Sequence, residues 1–91
     1  MEWTKVDSSQ IDKIGYEDGA EYPLGIWFTP NKKQKAADLP GSIYEYANVD
    51  AMLYRGFLGA KTNPDFDNSI GKFFDKVIKA FPDLYPFRKV S

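Results

Sequence analysis

Six apolar side chains, Ile70, Phe73, Phe74, Val77, Ile78 and Phe81, recur at i, i+3, i+4, i+7, i+8 and i+11, the spacing of one face of an α-helix. A helix with so apolar a face gains most of its stability by packing against another apolar surface. Upstream, Leu24, Ile26 and Phe28 alternate with Gly25, Trp27 and Thr29 between Pro23 and Pro30, the period of a half-buried strand. That change of period within 91 residues points to one α+β domain over residues 1–91, with helices laid on one face of an antiparallel sheet.

The remaining elements follow from the same two periods. Ile14 and Tyr16 form the arm that precedes Leu24–Phe28, joined to it by Glu17-Asp18-Gly19-Ala20-Glu21, where the Asp-Gly pair supplies a cheap positive φ. A third strand spans Ser42 to Ala47. If Ile43, Glu45 and Ala47 faced the core, an unpaired carboxylate would be buried, so Tyr44 and Tyr46 are the inward residues, their hydroxyls expected to find partners at the sheet edge. A first helix, capped by Asn48 or Asp50, carries Val49, Met52, Leu53 and Phe57 on its stripe and ends at Gly59. A second is capped by Asp67 or Asn68, carries an Asp75–Lys79 pair at i,i+4 and stops at Pro82. Pro30 to Gly41 reads as a long loop, and Asp83 to Ser91 as a tail folding Leu84, Tyr85 and Phe87 onto the core. The expectation is a three-stranded antiparallel sheet followed by two α-helices.

Composition removes much chemistry. With no Cys and no His, thiolate nucleophiles, disulfides, the commonest general base and the commonest zinc ligands are absent. There is no glycine-rich phosphate loop and no histidine-dependent triad. No catalytic residues, metal or cofactor are therefore expected, and the chain reads as a non-catalytic binding domain. Twelve basic and thirteen acidic residues leave no whole-protein field to steer nucleic acid. No apolar run approaches the ~20 residues of a membrane span, and the start of the chain lacks the regions of a signal peptide. The expected compartment is the cytoplasm.

Three places could bind a partner. Lys32, Lys33 and Lys35 make the only dense positive cluster; such a cluster beside an exposed ring grips single-stranded nucleic acid, although charge runs are more often simply solvated. Trp27 alternates with core-facing residues and points to the outer side of the sheet, as an interface anchor or under cover from Trp3 and Val6 or the tail. Arg55, Lys61 and Lys72 fall near the helix ends, where with Asp67-Asn68-Ser69 they could hold a phosphate or simply form surface ion pairs.

Ser8-Ser9, Ile11, Ile14-Gly15-Tyr16, Ile26 and Phe28, Tyr44-Glu45-Tyr46, Val49, Tyr54, Leu58 and Phe66 to Ile70 occur in an order that resembles the KTSC family. That family is a small domain at the C-terminus of some lysyl-tRNA synthetases and also occurs as free-standing bacterial and phage proteins. The resemblance covers about residues 6–72 and leaves 73–91 as a C-terminal helix extension and tail. It implies that Ser8, Ser9, Tyr44, Tyr46 and Phe66 are family positions, mainly structural, and that RNA is the partner to consider. Two stretches depart from the family pattern: the segment between the second and third strands is longer, and Lys61-Thr62-Asn63 replaces a Ser-x-Gly. The leading expectation is RNA or single-stranded nucleic-acid binding. The alternatives are a protein-interaction or inhibitor module, or capture of a small nucleotide-like ligand between helices and sheet.

Overall fold

Strand pairing follows chain order. In the computed structural model, which describes residues 1–91, β1 (Glu2–Lys5), β2 (Ile11–Tyr16), β3 (Leu24–Phe28), β4 (Ile43–Tyr46) and β5 (Phe87–Lys89) form one antiparallel sheet in the order β1-β2-β3-β4-β5. α1 (Lys32–Ala36) links β3 to β4, while α2 (Ala51–Gly59) and α3 (Ile70–Phe73) separate β4 from β5. The α+β class holds. The sheet has five strands rather than three, because polar Glu2–Lys5 and the three exposed residues of β5 carry too little apolar alternation to be read as strands.

Register sorts the side chains by face, since directly paired residues project to the same side. Tyr16, Leu24, Tyr46 and Phe87 form one inward row, and Ile14, Ile26, Tyr44 and Lys89 the next. A bulge between Ile11 and Lys13 puts both Ile11 and Ile14 inside, three residues apart. The helices meet this face. Phe57 stacks on Phe73 at 5.4 Å, and Phe74 packs edge-on against Tyr46 at 5.4 Å and Phe28 at 5.6 Å. Phe57, Phe74, Ile11, Ile14, Leu24, Ile26 and Ile78 are fully buried. Tyr16 stacks on Tyr54 and donates its hydroxyl to the Val49 carbonyl at 2.9 Å.

The helical half departs from its expected geometry in three ways. Asp67 and Asn68 have φ of 52° and 55°, left-handed rather than the extended backbone an N-cap needs, and Ser69 caps α3 instead by accepting from the Lys72 amide. α3 runs directly into a π-helical stretch, Phe74–Lys79. Its wider turn carries Phe81 off the apolar stripe, so Phe81 is 50% exposed; Asp75 is drawn to the Gln10 amide at 3.1 Å rather than to Lys79. On α2, Asp50 is the cap, and the stripe runs through Leu53, Tyr54 and Phe57. Met52 lies off it, 80% exposed.

The connection from β3 to β4 depends on local chemistry at two points. Asn31 and Gln34 exchange side-chain-to-backbone hydrogen bonds as a capping box, which turns part of the expected Pro30–Gly41 loop into α1. Gly41 follows, with its α-carbon so close to β3 that a Cβ there would lie 1.8 Å from the Phe28 carbonyl oxygen. No helix is long and apolar enough to cross a membrane.

Candidate functional site

The helices cover one face of the sheet; on the outer face lies Trp27, and α1 with Lys32, Lys33 and Lys35 adjoins the end of the sheet next to it. Two outward rows are fixed by register: Trp3, Gly15, Gly25, Glu45 and Arg88, then Lys5, Lys13, Trp27 and Ile43. In the first row the two glycines make a trough occupied by Met1 and Trp3; a Cβ at Gly25 would lie 2.6 Å from both the Met1 sulfur and the Trp3 ring. Glu45 pairs with Arg88 at 2.8 Å, and Arg88 lies over the Tyr22 ring. Burial of an unpaired Glu45 is thereby avoided, in keeping with the inward direction of its tyrosine neighbours.

Trp27 in the second row is half-buried. Trp3 meets it edge-on at 5.6 Å, and the Lys13 ammonium sits 4.3 Å from the ring centroid, an attractive cation–π geometry. Lys5 stands opposite Lys13. The like charges tolerate each other because Asp12, carried sideways by the bulge, pairs with Lys5 at 2.9 Å and Lys13 at 3.8 Å. α1 leaves and re-enters the sheet at this same end, between Phe28 and Ile43. Its Lys32, Lys33 and Lys35 are exposed and form no ion pair, and its position is fixed by Gln34, which donates to the Ser42 hydroxyl at 3.1 Å. One end of the sheet thus gathers an aromatic ring and five lysines, with Asp12 the one carboxylate bonded to them.

Lys5 and Lys13 were not legible as binding candidates. Their signal, alternation against inward Ile14 and Tyr16, is hidden by the bulge that shifts register beside Asp12.

The other proposed cluster is not assembled as a free cationic site. Lys61 pairs with Asp7 at 3.5 Å and Lys72 with Asp67, while Arg55 is exposed on α2 without an ion pair. The Lys72 ammonium, bonded to the Asp67 carboxylate and attracting it, holds that carboxyl below its ordinary range. Lys72 borders a polar cleft of about 420 Å³ with Asp7, Ser8, Ser9, Asn68 and Asp75. Its carboxylates oppose an anion, and its Ser8 hydroxyl is engaged structurally, whereas Ser9 takes part only through its backbone carbonyl. The Ser8 hydroxyl accepts from the amides of Gln10 and Ile11, and the Ser9 carbonyl accepts from Thr29. Phe66 packs on Phe73 at 4.8 Å; like Ser8, it has a structural role.

Tyr44 and Tyr46 do point inward, Tyr46 to 5% exposure. They line a cavity of about 280 Å³ between the sheet, the π-helical stretch and the segment from Pro82 to Phe87. The expectation that both hydroxyls find protein partners fails: neither donates or accepts a hydrogen bond within the chain. The Tyr46 hydroxyl is not sealed in, since no buried side-chain oxygen lacks a partner, and its side chain is part of the cavity wall. Burial, and then the nearby Tyr44, pushes its pKa up to about 12.

Comparison with known proteins agrees with the ordered motif. The sequence profile of the KTSC domain matches residues 7–81. The match runs beyond residue 72 into the helical segment that follows. No curated protein matches the chain.

Proposed function

The chain belongs to the KTSC domain family, and on that footing we propose that it is a non-catalytic module that binds RNA in single-stranded form through the Trp27 end of the outer sheet face. The observation that carries this reading is the Lys13–Trp27 pair, with a cation 4.3 Å from the centroid of a partly buried ring, at the end of the sheet where α1 presents three unpaired lysines. Such a site takes a base on the ring and phosphates on the ammonium groups, and it is sequence-tolerant because every base has a π-face. The site is local, which reconciles it with a net charge of −1: phosphate contacts depend on nearby cations within a Debye length, roughly 8–10 Å in physiological salt. A chain without histidine or cysteine suits binding better than turnover. The cytoplasm, where RNA is abundant, is the compartment this reading implies.

The test is fluorescence anisotropy with a labelled single-stranded RNA across a salt series. Affinity should fall as salt rises, and replacing Lys32, Lys33 and Lys35 by Ala should flatten the slope by about 0.7 for each phosphate no longer neutralised. Trp27→Ala should remove about 1–3 kcal/mol of binding, the worth of one stacked base. Wild-type protein with no salt-dependent RNA binding would end this reading and return the Trp27 face to the protein-interaction alternative.

A further inference from the structure

We propose that the cavity behind β4 is a second, separate binding site, for a planar one- or two-ring aromatic molecule carrying an anionic group. Its walls are aromatic: Phe28, Tyr44, Tyr46 and Phe74 on the protein side and Phe87 from β5. Its volume of about 280 Å³ exceeds the roughly 150 Å³ that houses benzene and falls just short of the roughly 300 Å³ at which drug-sized sites begin. A flat ring can therefore meet these walls in the offset or edge-on contacts that aromatic groups favour.

Two polar features make this more than a packing gap. Tyr46, 5% exposed, lines the cavity, and its hydroxyl has no partner in the protein yet is not sealed from solvent. The protein supplies this hydroxyl with no partner, and a ligand heteroatom would do so. Lys79 is the one charged residue on the lining, and it forms no ion pair. The π-helical winding puts it there: Phe74 and Lys79 are five residues apart, and both border the cavity, the repeat of an i→i+5 turn. With a cation at the mouth and no carboxylate on the walls, the site selects an anion over a cation. The floor belongs to the family-matched region, whereas Pro82, Tyr85 and Phe87 lie beyond residue 81.

The test titrates the full chain with 2-naphthoate, its neutral amide and 2-naphthylmethylamine, following amide and methyl NMR shifts. Expected are saturable shifts at Ile78, Tyr44 and Phe87, with the acid bound tightest and the amine weakest. Lys79→Gln should weaken the acid by about tenfold and leave the amide unchanged, and Tyr46→Phe should weaken both by several-fold. Both variants should melt within a degree or two of wild type, because neither group has a partner in the protein. Trp27→Ala, which disables the proposed RNA site, should bind naphthoate as wild type does; the two sites thus stand or fall separately. Absence of saturable binding, equal affinity for the amine, or shifts centred on Trp27 would overturn the proposal.

Discussion

The inner face of the sheet is covered by helices that bring Phe57, Phe73, Phe74 and Ile78 against it, whereas on part of the outer face Met1 and Trp3 lie in a trough made by Gly15 and Gly25. One side is a layer of large side chains interlocked at ring-to-ring distances. The other is a thin cover laid where side chains are missing, and it ends at Trp27, whose ring is only partly buried. Stability and accessible surface are thus divided between the two sides, and substitutions on each should behave differently.

The largest effect should belong to neither face. Gly41→Ala forces a methyl group to within 1.8 Å of the Phe28 carbonyl, backbone against backbone, and should cost about 5 kcal/mol or more, seen as loss of a cooperative melt. A variant that melts as wild type would mean the β3–β4 connection can be repacked. Phe74→Ala on the inner face should cost about 3–5 kcal/mol in urea denaturation through the cavity it leaves, while neighbouring Lys76→Ala should be near neutral. Equal effects would erase the distinction between packed and exposed sides of the π-helical stretch.

Titration sharpens the comparison from within. Tyr46 ionises at about 12 when folded against about 10 when unfolded, so the folded state holds the proton more tightly. The stabilising contribution is whole below pH 10 and is lost as pH climbs from 10 towards 12. Two pKa units correspond to roughly 2.7 kcal/mol, and partial hydration through the cavity reduces this to about 1–2 kcal/mol. Burial raises Tyr16 and Tyr54 as well, so Tyr46→Phe should lessen the alkaline loss of stability without abolishing it. On the outer face, Gly25→Ala displaces only the ends of Met1 and Trp3 and should cost about 1 kcal/mol, with a change in tryptophan fluorescence as Trp3 leaves its seat. Smallest of all, the triple lysine replacement on α1 should leave the melting temperature within experimental error.

The sequence was legible where periodicity was strong. The Leu24–Phe28 strand, the inward tyrosines, the Phe74 stripe and the turn at Gly19, which does take a positive φ, all follow from local pattern. It was illegible where structure depends on distant partners. β1 and β5 are short, polar or exposed, and exist because β2 and β4 offer free hydrogen-bonding edges. The π-helical winding and the bulge at Asp12 each change facing by one residue, which period counting does not register. Of the binding candidates, Trp27 and the α1 lysines could be named from sequence, but Lys5 and Lys13 joined them only through strand register. The cavity was invisible, since its far wall comes from Pro82 to Phe87.

β5 has a kinetic consequence. It is an edge strand of three exposed residues, held to the sheet through β4, and segments of this kind open locally at far less free energy than the whole fold. Phe87 is the part of the aromatic enclosure that such opening would move, while the core behind it stays shut. A molecule bound there would lose its contact with Phe87 each time the strand peels, so its dwell time would depend on the last few residues as well as on the walls that stay in place. Amide exchange at Val90, which donates to the Ile43 carbonyl at 2.8 Å, measured beside exchange at Ile26, reads the frequency of that peeling directly.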